Sequence, residues 1–286
     1  MPSPPPETRL AGLPLGGIRY FERIGSTSDE AAAWLKQGCP DLALVIADAQ
    51  TAGRGRAGRK WFTPPGAGLA FSLVLRAGDA IRQLLAQGNT ARLNGLGALA
   101  VCQALQEQHS LPAQIKWPND VIVNGRKLAG VLAEAHWLGS ELSAVVLGIG
   151  INLAPPSVPP PDWDTLNPHP FPATCVEAET GTPIDRWALL HAVLRNVLAW
   201  RERMMDDDFL RAWEANLAFR DQQVWVYPPG SVTRPKAVRL LGLGADGSLR
   251  VQDESGGQVT LQAGEIHQAN PPLGGFRLRP VDSAEK

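Results

Sequence analysis

Nine consecutive residues, Gly53-Arg54-Gly55-Arg56-Ala57-Gly58-Arg59-Lys60-Trp61, place three arginines, a lysine and three glycines directly after the apolar run Leu42 to Ala47. Guanidinium groups grip carboxylate or phosphate through a bidentate fork, and glycines let backbone approach a ligand closely. The stretch reads as an anion clamp at the end of a strand. Gly53, Gly55 and Gly58 also fit the dinucleotide fingerprint G-x-G-x-x-G, with Asp79 about twenty residues further on. That fingerprint must open a long helix, and Pro64, Pro65, Gly66 and Gly68 forbid one. No G-x-x-x-x-G-K-[ST] occurs, so a Walker A loop is excluded.

A second string, Lys116-Trp117-Pro118-Asn119-Asp120, runs into Val121-Ile122-Val123-Asn124-Gly125-Arg126-Lys127-Leu128-Ala129-Gly130. Asn124-Gly125 is a strong signal for a type I′ hairpin turn. The register then sets Val123 opposite Arg126, Ile122 opposite Lys127 and Asp120 opposite Ala129. Asp120, Ile122 and Lys127 share one face, and Lys116 joins them by parity unless Pro118 bends the strand. A lysine among apolar neighbours in a central strand wants an anionic partner, which a substrate could supply.

Plainer readings stand beside these. Lys127 suits a rim charge, Asp120 a turn cap, and Arg54, Arg56 and Arg59 a solvated loop. Ser26, Thr27 and Ser28 suit the N-cap of a helix, a geometry that also leaves N–H groups for a ligand carboxylate. Gly148-Ile149-Gly150-Ile151-Asn152 closes a strand whose glycines admit either a flat ligand or tight sheet packing. The histidines, His109, His136, His169, His191 and His267, lack metal-ligand spacing. No G-x-S-x-G elbow or cysteine nucleophile signature is present. Cationic clamp, lysines and an Asn-Asp pair suit phosphoryl or adenylyl chemistry, in which positioning and charge stabilisation dominate.

The elements that must position these groups follow from local pattern. Ile18 to Arg23, Leu42 to Asp48 and Gly68 to Leu75 read as strands, and residues 113–151 as several more. Thr27 to Glu30 forms a T-x-x-E capping box, which predicts a helix from about Ser28 to Gly38. Thr90 to Gln108 and Arg186 to Arg203 read as strong helices, the second capped by Asp185, and 207–219 continues helical. Residues 154–172 form a proline-rich irregular loop of the kind that is often functional. After Asp221, short strands at 224–227, 237–241, 248–252 and 258–261 alternate with Gly-rich turns, which predicts a small all-β barrel. The expected division is a Pro-rich flexible arm over 1–15, a catalytic domain over 16–220 and the barrel over 221–286.

A net charge of −1 and a pI near 6.5 do not predict a nucleic-acid binder, so the charge of the 54–60 loop is local. Cys39, Cys102 and Cys175 are odd in number and scattered, which reads as reduced core thiols. With no apolar leader and no run of membrane-span length, a soluble cytoplasmic protein with no membrane partner is expected.

Taken in order, the 53–61 loop, Lys116 to Asp120, Lys127-Leu128-Ala129-Gly130 and Gly148 to Asn152 resemble the signature set of biotin protein ligases, from about Tyr20 to the C-terminus. The familiar loop has arginine where this chain has Ala57. The resemblance implies an α+β fold: a mixed sheet packed by helices, similar to class II synthetases, followed by an SH3-like barrel. It implies that biotin and MgATP give biotinyl-5′-AMP. Biotin then moves to a lysine of a biotin carboxyl carrier protein, typically of acetyl-CoA carboxylase.

Carried over by motif position, Ser26, Thr27, Ser28, Gln50, Arg54, Gly55, Arg56, Lys127, Gly130 and Gly150 would contact biotin. Arg54, Arg59, Trp61, Lys116, Asn119, Asp120 and Asn152 would serve ATP, with Asn119 and Asp120 on Mg2+. Arg54, Lys116 and Lys127 would be the catalytic cations. The 154–172 loop falls where the family covers the adenylate. Some members carry an N-terminal helix-turn-helix, and the short arm here leads to the expectation of no DNA binding. Many relatives dimerise, so the resemblance admits a homodimer. The rivals are a lipoate or octanoyl ligase or transferase of the same fold, and a non-enzymatic nucleic-acid binder.

Overall fold

The computed structural model describes residues 5–87, 90–160, 163, 171–227 and 235–268. A helical turn α1 (Pro6–Arg9) precedes β1 (Gly17–Phe21), α2 (Thr27–Lys36), β2 (Ala43–Ala47) and β3 (Gly68–Arg76). Then come α3 (Asp79–Ala86), α4 (Thr90–His109), β4 (Ala113–Lys116), β5 (Asp120–Val123), β6 (Arg126–Leu138) and β7 (Glu141–Asn152). Helices α5 (Val176–Thr180), α6 (Arg186–Arg201) and α7 (Asp207–Ala215) follow. The chain continues with β8 (Gln223–Tyr227), β9 (Lys236–Leu243), β10 (Leu249–Gln252), β11 (Gln258–Leu261) and β12 (Glu265–Gln268).

Seven strands form a mixed sheet in the order β1-β2-β3-β7-β6-β5-β4, with β1 and β2 parallel and the other pairs antiparallel. Alternation along β7 shows how the sheet is used. Val145, Leu147, Ile149 and Ile151 enter the large core with α4 and α6, while Ala144 and Val146 pack with Ala31 and Leu35 of α2 on the opposite face. Beyond α2 that second face continues as Gly148, Gly150 and Asn152. Helix α4 is the buried spine: a Cβ at Gly95 would meet the Trp213 ring at 2.7 Å, and one at Gly97 would meet Val131 at 2.7 Å. Asp185 caps α6, accepting from the backbone N–H of Trp187 and Ala188.

The C-terminal strands build a five-stranded antiparallel sheet, β11-β10-β9-β8-β12, which is the SH3-like unit. It is pinned to α4 and to the turn between β4 and β5. Buried Arg92 of α4 donates to the carbonyls of Met204 and Ala245, and Trp117 donates to the Gly247 carbonyl at 3.0 Å.

Several expectations change. The arm expected to be loose carries α1, and Leu10 is buried in the main core. The T-x-x-E capping box is absent: Ser26 is the N-cap without a side-chain cap bond, and Glu30 instead pairs with Arg19 at 2.7 Å. Helices α3 and α5 and strand β12 were not expected. Asn124 and Gly125 have φ of 50° and 72°, as a type I′ turn requires, and Val123↔Arg126 and Ile122↔Lys127 pair as expected. The register then slips by one between Val121 and Ile122, so Asp120 faces Gly130 rather than Ala129. A bulge of one residue on β6 causes this. Within the proline-rich loop, 161–162 and 164–170 lie outside the described residues, as do 228–234 and 269–286 of the C-terminal unit.

Candidate active site

A cavity of about 350 Å³ opens over the Gly148–Asn152 end of the large sheet, and all the site residues expected above line it. Its two ends differ in charge. At one end, Ser26, Thr27 and Ser28 start α2 and are all buried. Gln50 accepts from the Thr27 N–H at 2.8 Å and donates to Thr63 at 3.1 Å. Ser72 of β3, fully buried, donates to Thr27 at 2.9 Å and lies 3.1 Å from the Ser28 hydroxyl. The expected use of this helix start as a carboxylate cradle does not hold for its first N–H, because the Gln50 carbonyl occupies it. This end is a neutral wall of hydroxyls and one amide.

The other end is cationic. Lys116 closes β4 and Asp120 opens β5, so Trp117-Pro118-Asn119 is a three-residue turn that faces the two side chains together. Asp120 lies 2.7 Å from Lys127 Nζ and 3.4 Å from Lys116 Nζ. Burial raises the cost of its charge, but the two lysines outweigh it and hold the carboxyl at about 2. Lys116 is pushed down, because full burial outweighs its share of a carboxylate that sits closer to Lys127. The Lys116 ammonium also lies 5.0 Å from the Phe171 ring centre.

Loop 53–61 folds back on itself, with Gly55 N–H to the Arg59 carbonyl and Trp61 N–H to the Gly53 carbonyl, both at 2.8 Å. Its three arginines part company. Arg54 makes a bidentate fork with Glu134 of β6, 2.6 Å on both arms, and its Nε lies 3.0 Å from Asp29 of α2. Arg54 lines the cavity, with its guanidinium engaged by these two carboxylates of the protein. Arg56 reaches inward instead and donates to Asn119 Oδ1 at 3.0 Å; burial pulls its guanidinium down, against Asp120 and Glu265. Arg59 pairs with Glu265 of β12. Ala57 sits exposed at the tip with φ of 54°.

Gly130 and Gly150 form the floor of the cavity. A Cβ at Gly150 would run into the Trp61 indole, and one at Gly130 would lie 3.0 Å from it. The space these glycines leave is thus taken by Trp61 of the loop rather than kept for a ligand alone. Gly148 makes room for the Ser28 hydroxyl, which a Cβ there would meet at 2.7 Å.

Asn119 and Asp120 do not fit a protein-held Mg2+. Asn119 accepts from Arg56 and donates to the Val131 carbonyl at 2.9 Å, and both Asp120 oxygens face lysines. Among the described residues no group of three His, Cys, Asp or Glu side chains could hold a metal. Cys39, Cys102 and Cys175 are buried and free, and no described helix is long and apolar enough to cross a membrane.

Sequence reasoning missed Ser72, Glu134, Phe171 and the barrel's Gly264, Glu265 and His267, all but Glu134 being wall or support of the cavity. Glu134 was within reach, since it lies on the same face of β6 as Gly130 by parity. The barrel residues carry no local signal.

A family model described as the biotin/lipoate A/B protein ligase family matches residues 20–152. The chain is 33% identical over 193 residues to the bifunctional ligase/repressor BirA of Bacillus subtilis, covering 65% of this chain and 53% of that one. It is 37% identical over 202 residues to the biotin–[acetyl-CoA-carboxylase] ligase of Paracoccus denitrificans, covering 68% and 79%. The chain thus spans about half the length of the Bacillus relative. Among solved structures, the Aquifex aeolicus biotin protein ligase in complex with biotin and ATP superimposes with a TM-score of 0.70 at 26% identity, over 88% of this chain and 97% of that one.

Proposed function

The chain belongs to the biotin/lipoate A/B protein ligase family, and we propose that it activates biotin with ATP and transfers it to a lysine of a carrier domain. The observation that carries this reading is the polarity gradient of the cavity. A neutral polar end of hydroxyls and an amide suits an uncharged ring that both donates and accepts hydrogen bonds, as the ureido ring of biotin does. A cationic end suits two anions that must meet, the biotin carboxylate and the ATP α-phosphate.

In this reading Ser26, Thr27, Ser28 and Gln50 take the ureido ring. The glycine floor and Trp61 wall the middle. Arg56, Lys116 and Lys127 surround the reacting end. A carboxylate oxygen attacks the α-phosphorus, the bond to the β-phosphate oxygen breaks, and pyrophosphate leaves. The three cations offset the repulsion of the reactants and the charge that builds on the α-phosphate oxygens. No covalent enzyme nucleophile is needed. In the second step an uncharged lysine amine of the carrier attacks the acyl carbonyl and AMP leaves. Arg59 and Asn152 serve ATP, and Arg54 anchors the loop. Magnesium enters only with the ATP phosphates.

The same relatives' names direct the second step to a biotin-carrying domain of acetyl-CoA carboxylase. A basic nucleic-acid patch is not supported, because each of the three loop arginines is already engaged by a carboxylate or an amide of the protein. Pyrophosphate release with ATP and either biotin or lipoate tests the reading. Release with biotin is expected; release with lipoate alone, or with neither, overturns it.

A further inference from the structure

Glu179 of α5 belongs to none of the motifs above, yet its carboxylate is among the most buried acidic groups outside the cavity, with a side chain only 2% exposed. Burying a carboxylate is costly unless donors meet it. Three do: Thr174 Oγ1 at 2.5 Å, Arg126 Nη2 at 2.7 Å and Asn124 Nδ2 at 2.8 Å. Asn124 lies in the turn that joins β5 to β6 and Arg126 opens β6, so Glu179 grips that hairpin at its tip.

Thr174 leads to Lys127 from the other side. The Lys127 N–H donates to the Pro172 carbonyl at 2.6 Å, and the Thr174 N–H donates to the Lys127 carbonyl at 2.9 Å. Ala173 thereby pairs with Lys127 as a short parallel bridge. Asn152, at the end of β7, donates to the Thr174 carbonyl at 3.0 Å. Lys127 is thus held between Ile122 of β5 and the 172–174 segment, and the carboxylate that joins turn to segment is Glu179.

We propose that Glu179 is a positioning residue for Lys127, fixing the backbone from which the ammonium reaches Asp120 and the reacting end of the cavity. Arg126 and Asn124 are exposed, so their bonds alone would give the turn little rigidity. Converging on a buried carboxylate, they act through one fixed point. The residue touches no reactant. Its influence passes through the Lys127 backbone, and the effect on catalysis rests on the assignment of Lys127 made above.

A double-mutant cycle on pyrophosphate release from ATP and biotin tests this, using the full chain. Release by the parent protein is the control, and its absence would count against the ligase reading rather than against Glu179. Glu179→Ala is expected to lower kcat about 10- to 100-fold, with a smaller change in the biotin KM, as misplacement of a catalytic group does. Glu179→Gln keeps an acceptor oxygen and loses less. In a Lys127→Ala background Glu179→Ala should cost nothing further. Losses that multiply, or an unchanged kcat, overturn the proposal. Amide hydrogen exchange gives a readout independent of activity: the Lys127 and Thr174 N–H groups should exchange faster in Glu179→Gln, a variant that keeps side-chain volume should Glu179→Ala not fold. Unchanged exchange there also overturns it.

Discussion

The two walls of the cavity are cationic in different ways. Loop 53–61 holds its outermost arginine at the surface: Arg54 is 37% exposed, and its partners Glu134 and Asp29 are 27% and 62% exposed. The β4–β5–β6 hairpins hold theirs inside, with Lys116 at 5%, Asp120 at 10% and Lys127 at 25%. Exposed pairs contribute little stability and are screened by salt, whereas buried charges are screened weakly and respond to protonation. The site therefore has a fixed half, built by strand register and tuned by pH, and an adjustable half, held by ion pairs and tuned by ionic strength. In the ligase reading proposed above, the fixed half preorganises charge for the α-phosphate.

The halves meet where Trp61 lies on Gly150, so Gly150→Ala should break the comparison most severely. The added methyl occupies indole space, and overpacking of this kind costs about 1–3 kcal/mol. Biotin affinity should fall roughly 10- to 100-fold if Trp61 must move, at that cost converted to binding. Isothermal titration measures it, and intrinsic tryptophan fluorescence should shift in parallel. Unchanged affinity would separate the loop from the floor.

Protonation probes the fixed half. Asp120 has a native pKa of about 2, against an ordinary 3.8. A depressed carboxyl contributes stability that is fully present above the unfolded value and is lost as pH falls toward the native one. About 2 kcal/mol should therefore disappear between roughly pH 4 and pH 2. Urea midpoints measured across that window should show the loss in the parent protein and a flatter profile in Asp120→Asn, which is already less stable at neutral pH. Parallel profiles would mean that the lysines do not set the Asp120 charge.

Salt probes the adjustable half, with the smallest effect. Glu134→Gln weakens the Arg54 fork, and exposed pairs contribute up to about 1 kcal/mol. Biotin affinity should drop no more than about fivefold at low salt, and the difference should close near 1 M salt, where the screening length is about 3 Å. The thermal midpoint should barely move. A loss that persists at high salt would place Arg54 among the ligand contacts after all.

Legibility in the sequence divides along the same line. The turn at Asn124-Gly125 was readable because only certain residues accept two successive positive φ values. The bulge one turn later was not, because an extra residue on β6 leaves the alternation of its neighbours intact. The three loop arginines look alike in sequence. What separates them is the partner each one finds: Asp29 on α2 and Glu134 on β6 for Arg54, the Asn119 amide between β4 and β5 for Arg56, and Glu265 on β12 for Arg59. Glu30 satisfied a capping pattern, yet Arg19 on β1 offered it a charged partner instead.

The sequence by itself determined most of the long elements, the hairpin, the cation-rich strings and the resemblance they carry, since these depend on residues close along the chain. Only the tertiary structure decided which arginine points inward, that both Asp120 oxygens are taken by lysines, that Trp61 covers the glycine floor and that the small barrel lends Glu265 to the site. Those outcomes depend on which side chains the fold brings within hydrogen-bonding distance. Charge and burial act over distance in space, and local pattern records only distance along the chain.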